Sequence, residues 1–69
     1  MPLYLAPIGE EQIIKKIGGA PNIRSHLEDL GFIVGGGVTI VSTIGGNLIV
    51  NVKNVRIAIS REMAGRIIV

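Results

Sequence analysis

The sequence predicts a mainly β fold, a small SH3-like barrel of about five strands with one short α-helix and one helical turn. Three observations carry this. Thirteen Ile and seven Val stand against one Phe, one Tyr and no Trp, and β-branched side chains suit a pleated, half-buried surface. From Val38 onward apolar residues recur with period two, punctuated by turn-forming pairs. A chain of 69 residues has room for one core only, and closing a sheet into a barrel removes exposed strand edges. A flat α+β sandwich is the alternative.

Residues 1–11 carry two prolines, a glycine and two glutamates, which suits an extended lead-in. Gln12 to Ile17 forms the first predicted strand. Its pattern is mixed: Ile13, Lys15 and Ile17 share one face, and Ile14 falls on the other with Gln12 and Lys16. A bulge, or partial cover of both faces, reconciles this. Gly18-Gly19-Ala20-Pro21 ends the strand. Ile23, Leu27 and Leu30 then recur at i, i+4 and i+7, one apolar stripe on a helix over about 22–30. Asn22 caps its start, or Pro21 takes the first helical position. Gly31 fits a left-handed C-terminal cap, and Phe32 stands where such a cap tucks an apolar side chain back onto the helix. So short a helix holds only by docking its stripe.

Val38 to Thr43 is the next strand, and Gly45-Gly46 a two-residue hairpin. In Asn47 to Lys53, Leu48, Val50 and Val52 share one face. Lys53-Asn54 makes a second tight turn, because Asn tolerates positive φ. Val55, Ile57 and Ile59 then alternate with Arg56, Ala58 and Ser60. Ser60 caps a helical turn over about 61–64, Gly65 ends it, and Ile67-Ile68-Val69 is a last short strand.

Several function classes lack their residues. Net charge is +2 with no block of like sign, and there is no cysteine, hence no disulfide and no thiolate site. No apolar run reaches the ~18 residues of a spanning helix. The N-terminus lacks the basic and long apolar regions of a signal peptide. The expected location is cytoplasmic.

His26 and Asp29 stand at i, i+3 and can share a helix face. They are weak metal candidates, because a stable site needs three or four ligands and the chain has no second His and no Cys. On a helical wheel His26 lies roughly 60–70° from the apolar stripe, at the boundary of core and solvent. Ser25 beside His26 is no catalytic pair, since adjacent helical side chains diverge. Gly35-Gly36-Gly37 leads into a strand rather than a helix N-terminus, so it cradles no phosphate. The seven Lys and Arg are scattered, and exposed aromatics for stacking bases are wanting, so no nucleic-acid partner is expected. No cofactor is expected, and no enzyme.

Apolar residues left over by the parity of the strands are more informative. If Leu48, Val50 and Val52 point inward, Ile49 points outward, and Ala58 stands outside with Arg56. Either Val41 or the Val38/Ile40 pair is outward as well. Such a patch flanked by charge predicts a protein-contact surface. Its candidates are Ile49, Arg56 and Ala58, with Phe32 and Ile33 beside the helix end.

The run "RSHLEDLGF", then "VGGGVTIVS", then "GGNLIVNVKNVRIAISREMAGRIIV" resembles the ferrous iron transport protein A (FeoA) family. The resemblance rests on Arg24, Leu27, Leu30-Gly31-Phe32, Gly35 and the ordered strands after it, over about residues 8–69. Val34 departs from the family's usual proline before the glycine. The resemblance implies one SH3-like domain over 1–69, working as a cytoplasmic accessory of a membrane ferrous iron permease that carries a GTP-binding domain. It implies action by contact with the cytoplasmic region of that transporter, with no insertion into the membrane. Weak self-association is left open. The second reading is a metal-responsive or nucleic-acid-binding SH3-like regulatory domain, the kind of domain found at the end of metal-dependent repressors.

Overall fold

A computed structural model describes all 69 residues. The elements run in the order β1 (Glu11–Ile13), β2 (Lys16–Ile17), α1 (Pro21–Asp29), β3 (Gly37–Ile44), β4 (Asn47–Val52), β5 (Val55–Ser60), α2 (Arg61–Ala64) and β6 (Ile67–Ile68), after a 3₁₀ turn at Leu3–Leu5. Four strands form an antiparallel sheet in the order β1-β3-β4-β5, and β2 pairs with β6 in a small second sheet. The mainly β, SH3-like reading holds, with six strands in place of about five.

The extra strand comes from the first predicted one, which splits. The Ile14 amide donates to Gly36 O at 2.9 Å and the next amide, Lys15, to Ile68 O at 2.7 Å. Successive residues therefore bond to opposite sheets, and the chain turns a corner between them. This explains the mixed pattern without a bulge: Ile14 and Ile17 are buried, whereas Ile13 faces out at 54% exposure.

The residues before β1 are not a lead-in. Leu3 is fully buried and Ala6 nearly so. Pro2 forms a bridge with Ile68, and the Val69 amide donates to Met1 O at 2.8 Å. The first residues thus extend the small sheet and close the barrel over the core.

Helix α1 starts on Pro21, with Ala20 at the N-cap and no side-chain cap, so the proline alternative applies and Asn22 caps nothing. Its end is a Schellman motif. Phe32 N–H donates to Leu27 O at 3.0 Å and Gly31 N–H to Glu28 O at 2.9 Å, with Gly31 at φ +109. Both hairpin turns have positive φ at both central residues, Gly45-Gly46 and Lys53-Asn54, the geometry that matches the strand twist. Ser60 caps α2 by accepting from the Met63 amide at 3.2 Å.

The core is one cluster of 15 buried side chains, among them Leu3, Ile14, Leu27, Phe32, Val38 and Ile67. Leu48, Val50 and Val52 point inward as expected. Val38 and Ile40 are also inward, opposite Val52 and Val50, and the register with β4 then slips between Ile40 and Ser42, taking up Val41 as a bulge. On β5 only Ile59 is buried; Ile57 is half-buried and Val55 is 55% exposed. The cause is position. β5 ends the sheet, and its outer edge has no strand beside it. Barrel closure leaves that edge open.

Candidate interaction surface

Residues directly opposite in an antiparallel sheet project to the same side. The register therefore lays out the outward face of the large sheet in rows. Glu11, Thr39, Asn51 and Arg56 form one row across all four strands. Ser42, Ile49 and Ala58 form the next. On the far side of the polar row, Ile13 stands opposite Gly37. Ile49 is half-buried, and Arg56 and Ala58 are exposed. The sheet thus brings together the three candidates that parity picked out.

Ile33 stands at another corner, 40% exposed. The loop that carries it is zipped onto the end of β1. Gly35 N–H donates to Ile14 O at 2.8 Å, and Gly36 N–H to Ile33 O at 3.0 Å. Beside it are Val34 at 60% and Ile13 at 54% exposure. Sequence reasoning missed both. The only available signal for Ile13 was the mixed pattern of residues 12–17, and for Val34 its place before a glycine turn.

Phe32 is no surface residue. Its side chain is fully buried, because the Schellman motif directs it under the helix. Its amide bond to Leu27 O fixes that direction.

Between the apolar corner and the Ile49 row lies a polar cavity of about 220 Å³, lined by Glu11, Gly37, Thr39, Asn51 and Lys53 among others. The Glu11 carboxyl group folds over Gly37, where an added Cβ would stand 2.5 Å from Oε2. A side chain at position 37 would move the Glu11 carboxyl group aside. At the opposite end, the Arg61 guanidinium carbon lies 4.7 Å from the centroid of the Tyr4 ring, a cation–π contact that ties the 3₁₀ turn to α2.

His26 and Asp29 are both exposed on α1. The boundary position expected for His26 is corrected to a solvent-facing one. No three His, Asp or Glu side chains stand close enough to share a metal ion. No helix is long and apolar enough to cross a membrane.

The FeoA domain model matches residues 1–69. A Methanocaldococcus jannaschii protein named "Putative Fe(2+) transport protein A" is 34% identical over 68 residues, covering 99% of this chain and 83% of the relative. The crystal structure of an iron uptake regulatory protein (FeoA) superposes with a TM-score of 0.87 at 32% identity, over 96% of this chain and 88% of that one. Stenotrophomonas maltophilia FeoA, crystallised with zinc and described as an SH3 domain protein, gives 0.84 at 27% identity, over 99% and 87% of the two chains.

Proposed function

The chain belongs to the FeoA family, and on that premise we propose that it is an accessory protein of ferrous iron uptake. It works on the cytoplasmic side by contact with the membrane ferrous iron permease, not by catalysis. Iron is the transporter's cargo and is not held by this chain.

The observation that carries the contact is the outward sheet face. Ile49 and Ala58 remain accessible in one row, flanked by Arg56 in the next. Apolar side chains gathered on one face and rimmed by charge mark a protein-contact surface. Ile33, with Ile13 and Val34, supplies a second apolar corner toward the β1 edge. The polar row between them gives a partner hydrogen-bonding register.

The test is capture of the permease's cytoplasmic GTP-binding domain by this protein, with and without guanine nucleotide. Wild type should retain the domain. Ile49→Glu should lose most of the binding and Ile49→Ala part of it, with unchanged far-UV circular dichroism. Retention by Ile49→Glu equal to wild type would remove this surface from the proposal.

A further inference from the structure

The free edge of β5 is unusual for what it lacks. Natural sheet edges are blunted by short strands, prolines, bulges or charges. The other end of this sheet follows that rule, because β1 has only 3 residues. β5 has 6 residues and pairs with β4 without a slip from Asn47↔Ser60 to Val52↔Val55. It has no proline and one charge, Arg56. Val55, Arg56, Ala58 and Ser60 are exposed.

The ladder tells which backbone groups face the open side. A two-residue turn makes its flanking residues, Val52 and Val55, a hydrogen-bonded pair. Bonded and non-bonded pairs then alternate. Val55, Ile57 and Ile59 are spent on β4, and the N–H and C=O groups of Arg56 and Ala58 point away from the sheet.

We propose that two copies of this chain join edge to edge through β5, as an antiparallel dimer with its two-fold axis between the two Ile57 residues. The choice of a second copy follows from matching edges. The partner must itself offer a strand with a free edge, and β5 is such a strand. A two-fold pairing uses one edge from each copy and leaves this one closed.

The register follows by elimination. With the axis at Arg56, two guanidinium groups would face each other. With the axis at Ala58, Val55 would face the first residue of α2, beyond the strand. With the axis at Ile57, Val55 lies opposite Ile59 of the second copy and Arg56 opposite Ala58. The two free backbone pairs are then satisfied in both directions. Across the axis the half-exposed Ile57 side chains meet each other, and the exposed Val55 meets Ile59 of the second copy. This inference does not rest on the transporter reading.

Light scattering with size-exclusion chromatography, from micromolar to millimolar protein, tests it. The mass should rise from 7.3 kDa toward twice that value. Ala58→Pro removes an N–H that faces the open edge and is not bonded to β4, a place where a strand tolerates proline. It should stay monomeric at every concentration with an unchanged circular dichroism spectrum. Hydrogen exchange of the wild type gives a readout free of any folding defect. The Arg56 and Ala58 amides should slow as concentration rises, while Ile57 stays protected throughout. A wild type monomeric at millimolar concentration, a dimer formed by Ala58→Pro, or a dimer whose Arg56 and Ala58 amides exchange at a constant rate would each overturn the proposal. Protection of those amides only on adding the permease domain would also overturn it, by giving the edge to a foreign strand.

Discussion

Gly31 and Phe32 decide what the end of α1 does, and each is open to a clean test. Gly31 sits at φ +109, and an added Cβ would meet only ordinary contacts, the nearest Lys53 Cδ at 3.7 Å. Gly31→Ala should therefore cost only the backbone strain, about 1–2 kcal/mol, read by urea denaturation. Phe32→Ala empties a fully buried site and should cost about 3–5 kcal/mol. A 69-residue domain has roughly 3–10 kcal/mol in all, so Phe32→Ala should lose from about a third to all of its stability, read as a lower urea midpoint. Any loss of partner binding in that variant would then report unfolding, whereas loss in Ile49→Glu would report contact. His26 gives the opposite outcome. It is exposed, with no group of three ligands around it. His26→Ala should leave the heat of ferrous iron addition, measured anaerobically, unchanged. The helix end was legible because a Leu-Gly-Phe sequence states its own cap chemistry. The burial of Phe32 was legible from the same chemistry, and placing it on the surface weighed its apolarity above its cap.

At the scale of the elements, the sequence was readable where one rule governed a segment and misleading where two met. The hairpins β3-β4 and β4-β5 show their alternation and their turns; the β4-β5 register follows both, and the β3-β4 register follows them except for the bulge at Val41. Even so, alternation could not show that β5 ends the sheet, which leaves Val55 exposed although it shares a face with Ile59. Residues 12–17 belong to two sheets, and no single period describes them. Lys53 is the one turn residue that is neither Gly nor Asn, at φ 50. The left-handed region is costly for a residue without a short hydrogen-bonding side chain. Lys53→Asn should therefore stabilise the β4-β5 hairpin by several tenths to about 1 kcal/mol. The check is a higher midpoint of urea unfolding with an unchanged slope.

For the molecule as a whole, the question is whether residues 1–6 fold with the barrel or ride on it. Prolines and short apolar residues read locally as an extended lead-in, and nothing in their own pattern shows otherwise. What holds them is distant in sequence. Pro2 bridges Ile68, Leu3 fills the core, and Tyr4 stacks on Arg61. All 15 buried side chains, from Leu3 to Val69, belong to one cluster, so the barrel has no part that can empty without exposing the rest. Such a core should unfold in one step. Tyr4 makes this measurable, because the chain has no Trp and no second Tyr, and its fluorescence reports the N-terminal closure alone. The Tyr4 transition in urea should coincide with the far-UV circular dichroism transition of the strands, in midpoint and in slope. Leu3→Ala should move both together to lower urea, by the equivalent of about 2–5 kcal/mol. A Tyr4 transition that precedes the loss of strand signal would mean that the first residues detach from a barrel that stands without them.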